Sequence, residues 1–170
     1  ATPDEVEKIF KKTIPVGKSF GVIIIPFDKI KYEVATFRTD GDYLDGRRPE
    51  TVTFTNEKED VLRRDFTING LLYDPIEREI IDYVGGMDDI NNKTIRCIGD
   101  PVKRFSEDKL RMLRCIRFAI KFGFNIHAES YNAIKNLCNL INDISRERIA
   151  DELEKILTGP TPDKAVRLLY

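Results

Sequence analysis

The first group of residues suited to binding chemistry is Arg63-Arg64-Asp65. Guanidinium groups bind phosphate through several N–H donors, and a neighbouring carboxylate can accept a hydrogen bond from a sugar hydroxyl. Arg64 and Asp65 are therefore candidate nucleotide-binding residues. By spacing alone, a salt bridge at the entry to a helix explains the same residues more simply.

A second group, residues 107–111, contains an acid and a base three residues apart, Asp108 and Arg111. On one helix they would be neighbours, with the carboxylate accepting and the guanidinium donating. Held rigidly, the pair could read the Watson–Crick edge of a base. Arg114 and Arg117 follow at the same spacing, each displaced by about 60° around the helix, and extend the basic ridge. The alternative is an ordinary ion pair on a solvated helix face.

Two further segments carry charged residues with a possible role. In residues 147–155, Asp151 and Lys155 have the i,i+4 spacing of a stabilising ion pair, so the segment is expected to stabilise a helix rather than contact substrate. In residues 31–37, strand alternation places Glu33 on one face with Ala35 and Phe37. A lone acid on an apolar face must be paired or bind a cation, unless that face is exposed and the acid is solvated.

The elements that would position these residues change in character along the chain. The first part predicts a helix starting at Thr2 with a capping box, then a hairpin of residues 20–27 and 30–38. A polar connection over 39–59, a short helix over 67–73 and short strands near 80–83 and 94–98 follow. After Pro101, helical periodicity predicts helices at 106–122, 128–141, 145–158 and 162–169. We therefore predict an α+β fold, with residues 1–100 as one domain and the all-helical residues 101–170 as a second.

Composition excludes several classes of protein. The net charge of −1 argues against nucleic-acid binding over the whole surface. The segment from Lys103 to Lys121, however, contains seven Lys and Arg and only two acids, so it could bind a phosphate-bearing ligand locally. No apolar run is long enough to span a membrane, and a cytoplasmic location is expected. The three separated cysteines, Cys97, Cys115 and Cys138, are predicted to be reduced core residues. A single histidine, His127, cannot form a metal cluster and is assigned no role.

Six segments, in order, resemble the class II tRNA CCA-adding enzymes and the related bacterial poly(A) polymerases. They are EVATFR, DGRRP, RRDFTIN, DYVGGMDD, RFSEDKLRMLRCIRFA and ERIADELEK. The resemblance implies a polymerase-β-like nucleotidyltransferase head, present in part, followed by a helical neck. It also implies that the phosphate loop and the metal-binding Asp-x-Asp precede Ala1 and that a tRNA-binding body follows Tyr170, so the chain is expected to be part of a longer protein.

The resemblance also implies roles for single residues. Arg64 and Asp65 would bind the nucleotide and its ribose, Asp108 and Arg111 would read the base, and Arg114 and Arg117 would make further nucleotide contacts. Glu33, the expected catalytic residue, would be a third carboxylate beside the two metal-binding aspartates. The family's neck motif, which stabilises the preceding helices, is matched by Glu147, Arg148, Glu152 and Lys155.

The expected activity is template-independent addition of CCA to the 3′ end of tRNA from CTP and ATP, with Mg²⁺ as cofactor. In the family this chain resembles, CC-adding members have a shortened loop where residues 40–49 are intact here, and many poly(A) polymerases carry Pro where Lys109 follows Asp108. We therefore rank CCA addition first, A-addition second and poly(A) synthesis third. A module that binds nucleotide or RNA without chemistry is the alternative from a different class. The chain by itself is expected to be inactive.

Overall fold

The computed structural model describes residues 1–41 and 51–170, which divide into two compact units. The first unit includes residues 1–41 and 51–60, and the second includes residues 61–170. The strands are β1 (Ile14–Gly17), β2 (Val22–Phe27), β3 (Ile30–Ala35), β4 (Arg38–Asp40), β5 (Val52–Phe54), β6 (Leu71–Asp74), β7 (Glu79–Asp82), β8 (Thr94–Ile95) and β9 (Asn125–Ile126). The α-helices are α1 (Pro3–Ile9), α2 (Glu57–Leu62), α3 (Gly86–Asn91), α4 (Pro101–Glu107), α5 (Leu110–Phe122), α6 (Ala128–Leu137), α7 (Arg146–Leu157) and α8 (Pro162–Leu169).

The first unit contains an antiparallel sheet in the order β1-β2-β3. The predicted hairpin is confirmed, because β2 and β3 pair along their whole length around Asp28, whose positive φ of 52° suits a tight turn. Alternate residues of β2, Ile23 and Ile25, are buried with Val6 of α1. The predicted start of α1 is also confirmed, since the backbone N–H of Thr2 donates to Glu5 Oε2 at 2.7 Å.

The prediction of a polar connection over residues 39–59 is wrong at its two ends. Strands β4 and β5 pair there as an antiparallel ladder, with Asp40 opposite Val52, and α2 begins at Glu57. The β-branched residues of Val52-Thr53 favour a strand even inside a polar segment. Residues 42–50, which include DGRRP and most of the loop used to rank the activities, lie outside the described residues.

The short helix predicted over residues 67–73 is also wrong. A 3-10 turn covers only Thr67–Asn69, and the chain then enters β6. Residues 71–74 pair instead with β7. The turn also packs closely on its neighbours: a Cβ added at Gly70 would lie 2.7 Å from Val84 Cγ2, and one at Gly86 only 2.3 Å from the carbonyl oxygen of Thr67. These two glycines allow the turn and α3 to approach each other closely.

The next hairpin, β6 with β7, ends at Asp82, the first residue of the DYVGGMDD segment. Its carboxylate accepts hydrogen bonds from the backbone N–H groups of Val84, Gly86 and Met87 at 2.9–3.0 Å. Burial alone would raise the pKa of Asp82, but these donors outweigh it and lower the pKa. The segment therefore has a structural purpose, which is to turn the chain from β7 into α3.

The helical prediction after Pro101 is confirmed except at its first helix. Instead of one helix over 106–122, α4 ends at Glu107 and α5 begins at Leu110. Asp108 between them is extended, with φ −139° and ψ 102°, and its Oδ1 accepts from the N–H of Leu110 at 3.2 Å. Aspartate competes for backbone donors in this way, which favours a new helix start over helix continuation.

Helix α5 contributes to both apolar clusters of the second unit, because two neighbouring faces of it carry buried residues. Met112 and Cys115 pack with Phe66 and Phe105 in one cluster, while Leu113 joins the other with residues of α7 and α8. β8 and β9 also pair in parallel, linking residue 95 to residue 126. The α+β class with a helical C-terminal part is confirmed. None of the helices in residues 1–41 and 51–170 has the length and apolar character needed to cross a membrane.

Cys97 and Cys115 are buried, as expected of core cysteines. The same expectation is wrong for Cys138, which is exposed. Burial raises the pKa of the Cys97 thiol to about 12 and that of Cys115 well above its usual value. At pH 8 only about one Cys97 in 10⁴ would be the reactive thiolate.

We therefore expect iodoacetamide at pH 8 to alkylate Cys138 in the folded protein and to spare Cys97 and Cys115. Mass spectrometry of tryptic peptides measures the labelling. Denatured protein is the control, in which all three cysteines should react. Labelling of Cys97 at the rate of Cys138 in the folded protein would contradict the burial described above.

Candidate functional site

Six of the seven predicted site residues lie in the second unit and one lies in the first. Glu33 belongs to β3, opposite Ile24, and its side chain is exposed together with that of Ala35. The neighbouring Val34 packs on the apolar core of the unit instead. The predicted alternation is therefore confirmed, and the face that carries Glu33 is open to solvent.

The carboxylate of Asp65 is held by three partners. Its Oδ1 accepts from the backbone N–H of Phe66 and from Asn69 Nδ2, each at 2.9 Å. Its Oδ2 accepts from Nε of Arg114 at 2.9 Å and also from a terminal nitrogen of the same guanidinium. Asp65 is only 8% exposed. The fold thus joins two predicted site residues that are 49 positions apart and holds their charged groups in a fixed orientation.

Arg64 also contacts the turn that follows Asp65, but as a hydrogen-bond donor to its backbone. One of its terminal nitrogens donates to the backbone carbonyl of Asn69 at 2.9 Å. The backbone carbonyl of Asn69 therefore accepts a hydrogen bond from Arg64, and its side-chain amide donates one to Asp65. Asn69 was not among the predicted site residues. It lies four residues after Asp65 in RRDFTIN, and side chains with that spacing can meet across one turn.

The expectation that Asp108 and Arg111 are neighbours on one helix is wrong, and so is the alternative of an ion pair between them. Arg148 of α7 donates to both carboxylate oxygens of Asp108 at 3.2 and 3.3 Å, and Arg111 donates to Glu107 at 2.9 Å. The reason is the extended backbone at Asp108, which removes it from the helix and from the i,i+3 relationship. The two residues remain close in the chain, but each is held by a different partner.

Arg111 is buried among polar partners. Besides Glu107, its guanidinium donates to the carbonyl oxygen of Arg104 at 3.1 Å and, more weakly, to that of Arg63 at 3.4 Å. The contact with Arg63 links the second predicted group to the backbone of the first. The two groups, separate in the sequence, are therefore in contact within the second unit.

Arg114 and Arg117 both contact one aromatic ring, that of Phe118. Their guanidinium carbons lie 5.5 and 4.3 Å from the centroid of the Phe118 ring, and that ring meets Phe66 edge-on at 5.7 Å. Arg117 also donates to Glu152 of α7 at 2.6 Å. Cation–π contacts and ion pairs restrict both arginines, which extends the ordered cationic surface beyond Asp65.

The third charged group stabilises α5 from α7, as expected. Arg148 reaches Asp108 at the start of α5, and Glu152, which is buried, reaches Arg117 in its middle. The predicted pair of Asp151 and Lys155 is wrong, because Lys155 meets Glu152 at 3.2 Å and Asp151 is exposed. Glu147 is exposed as well.

The described residues offer the donors and acceptors of a nucleotide site but no metal centre. In residues 1–41 and 51–170, no group of three or more His, Cys, Asp or Glu side chains is arranged to hold a metal ion. Asp65 can accept from a hydroxyl, Asp108 and Arg111 present an acceptor and donors, and Arg114 and Arg117 present positive charge. That set suits a ligand with a sugar, a base and phosphates.

Known proteins similar to this chain are enzymes that act on nucleotides and RNA. The family described as "Poly A polymerase head domain" matches residues 1–96, and the one described as "Probable RNA and SrmB-binding site of polymerase A" matches residues 123–170. The CCA-adding enzyme of Bacillus pumilus (strain SAFR-032) is 49% identical over 170 residues, which are 99% of this chain and 42% of that protein.

Two solved structures show the same fold. The CCA-adding enzyme of Bacillus stearothermophilus in complex with CTP has a TM-score of 0.89 and 40% identity, over 99% of this chain and 40% of that one. The Thermotoga maritima CCA-adding enzyme complexed with tRNA-CCA has a TM-score of 0.75 and 26% identity, over 96% of this chain and 37% of that one. The chain thus spans about two fifths of the length of the relatives it matches. Its match over residues 1–96 shows that it belongs to the family of poly(A) polymerase head domains.

Proposed function

We propose that the complete protein containing this chain adds CCA to the 3′ end of tRNA without a nucleic-acid template, using CTP and ATP. The observation that carries the proposal is that separate contacts within the second unit hold the candidate side chains: Asp65 pairs with Arg114, Asp108 pairs with Arg148, and Arg111 donates to the carbonyl oxygen of Arg63. The similarity to CCA-adding enzymes at up to 49% identity supports the choice of reaction.

Base selection by protein side chains requires that donors and acceptors be held in fixed directions. Asp108 is oriented by Arg148 and by the N–H of Leu110, and Arg111 is oriented by Glu107. We propose that a base is read by these two residues, because a side chain that is already ordered loses little further freedom on binding. A mismatched base would leave its own donor or acceptor groups without a partner in the site, which is costly.

The remaining roles follow from the chemistry of the groups. We propose that Arg64 and Asp65 bind the nucleotide and its ribose hydroxyl, and that Arg114 and Arg117 make further nucleotide contacts. Glu33 is the proposed catalytic carboxylate. We also propose that residues 1–100 form the nucleotidyltransferase head and residues 101–170 the neck, although the core around Phe66 and Phe105 includes residues of both.

A divalent cation is the cofactor we propose, and Mg²⁺ is the specific choice. Oxygen ligands such as Glu33 suit that ion. Within residues 1–41 and 51–170 no metal cluster is formed, and we propose Glu33 as one ligand among several. The cytoplasm is the proposed location, and the proposed partners are the tRNA 3′ end, CTP and ATP.

The deciding experiment supplies CTP and ATP to the complete protein with three tRNAs, ending before CCA, after C and after CC. CCA addition requires that all three be extended to the same end. Extension of only the tRNA ending in CC would identify an A-adding enzyme, and long A tails on unrelated RNA a poly(A) polymerase. Nucleotide binding with no extension of any RNA would identify a non-catalytic binding module and refute the proposal.

The role of Asp65 predicts a change in sugar preference. In the variant Asp65→Asn, discrimination between ATP and 2′-deoxy-ATP should fall roughly tenfold, because a charge-assisted hydrogen bond to the hydroxyl is weakened. Incorporation kinetics with the two nucleotides measure the ratio. Asp89→Asn is the matched control, since Asp89 is another buried carboxylate, paired with Arg96 at 3.0 Å. An unchanged sugar preference in Asp65→Asn, or an equal loss in both variants, would count against the role.

A further inference from the structure

Arg104 connects two segments of the proposed site, although nothing in its position on α4 assigns it a function. Its Nε donates to the carbonyl oxygen of Ile98 at 3.1 Å, and one terminal nitrogen donates to that of Leu62 at 2.6 Å. The other terminal nitrogen donates to Glu107 at 2.8 Å. The side chain is 19% exposed. A planar guanidinium that satisfies three separate acceptors is held in one orientation.

Glu107 transmits this orientation to Arg111. The same carboxylate oxygen, Oε2, accepts from Arg104 at 2.8 Å and from Arg111 at 2.9 Å. The carbonyl oxygen of Arg104 also accepts from Arg111 at 3.1 Å. Arg104 therefore contacts Arg111 twice, once through its own backbone and once through the shared carboxylate.

The charge of this group of three is as important as its geometry. One carboxylate between two guanidinium groups leaves a net positive charge, so Arg111 keeps cationic character while its direction is set. Without Arg104, Glu107 would lose the partner that fixes its rotamer. The Glu107 side chain would then be free to move together with Arg111 and would no longer fix the direction of that guanidinium. The carbonyl oxygen of Leu62 ties the group to the chain just before Arg63 and Arg64, and that of Ile98 ties it to the segment before α4.

We propose that Arg104 is a positioning residue for nucleotide selection. Through Glu107 it sets the direction in which Arg111 presents its donors to the base, and through Leu62 it aligns that direction with the segment carrying Arg64 and Asp65. The proposal rests on the proposed function.

The test measures base selectivity in the complete protein as the ratio of kcat/KM for CTP to that for UTP, on tRNA lacking CCA. In Arg104→Gln this ratio should fall about tenfold, part of the discrimination that a well-placed polar pair supplies. Glu107→Gln should give a similar loss. The double variant should lose no more than either single variant, because both act through the same restraint on Arg111.

Controls separate positioning from general stability. Arg96→Gln removes another arginine that bridges an acid, Asp89, and the ring of His127, and should leave the ratio unchanged. Arg104→Lys keeps the positive charge beside Glu107 but cannot reach all three acceptors, so it should lose less selectivity than Arg104→Gln. It also decides the matter if Arg104→Gln does not fold.

The outcomes are distinct for the two levels of the proposal. A parental ratio in the folded Arg104 variants, or losses that multiply in the double variant, would overturn the positioning role alone. A parent protein that transfers no nucleotide would overturn the proposed function and this inference with it. A loss of selectivity in Arg96→Gln equal to that in Arg104→Gln would also overturn it, because a structural defect would then suffice.

Discussion

Replacing Asp108 by alanine is expected to reduce the discrimination between correct and incorrect bases by about 10- to 100-fold, which corresponds to about 1–3 kcal/mol. The carboxylate is the proposed acceptor for the base edge, and alanine has no group that could replace it. Arg148, which donates to both oxygens of Asp108, would also lose its partner and could contact a base without selectivity. Both effects act on base choice rather than on the transfer of a correct nucleotide.

Incorporation assays with all four nucleotides on tRNA lacking CCA measure the effect. Because Asp108 also accepts a hydrogen bond from the N–H of Leu110 at the start of α5, the variant should lose about 1 kcal/mol of stability, which a thermal melt would register. Asp143→Ala is the matched control, since Asp143 pairs with Lys109 at 2.8 Å beside the same helix start. Selectivity equal to the parent's in Asp108→Ala would return Asp108 to a purely structural role.

The largest expected effect on stability belongs to Phe66→Ala, which should lower the free energy of unfolding by about 3–5 kcal/mol. The ring is 0% exposed and belongs to the apolar cluster that also contains Phe105 and Cys115. It meets Phe118 edge-on, and Phe118 in turn supports Arg114 and Arg117. The cavity left by alanine would therefore loosen the same ring that orders two proposed nucleotide contacts.

Urea unfolding followed by circular dichroism measures the change. Tyr73→Ala is the control, because Tyr73 is an aromatic residue of the same unit with 61% of its side chain exposed, and its loss should change the stability far less. A loss in Phe66→Ala below about 1 kcal/mol would show that the cluster repacks around the cavity.

The failures of the sequence analysis have physical causes at particular residues. The helix predicted through Asp108 satisfied the periodicity of its apolar residues, yet the side chain captured the N–H of Leu110 and started a new helix. The helix predicted at Thr67 ends after one turn, because the residues from Leu71 onward pair with β7 in a hairpin. In both places a competing interaction outweighed a correct local pattern.

Local signals were enough to determine the elements themselves: the hairpin around Asp28, the start of α1 and the series of helices after Pro101. These depend on residues within a few positions of one another, so sequence spacing describes them well. Ordered motifs were likewise enough to identify the family and to name the candidate residues.

Only the tertiary structure decided which of those residues meet. Asp65 lies 49 positions from Arg114, Asp108 lies 40 from Arg148, and Arg117 lies 35 from Glu152. No periodicity relates such distant positions, because their distance depends on how α5 and α7 pack and where the turn after Asp65 lies against them. The spacing of charges along the chain predicted helix neighbours, whereas packing between helices selected the partners that orient the site.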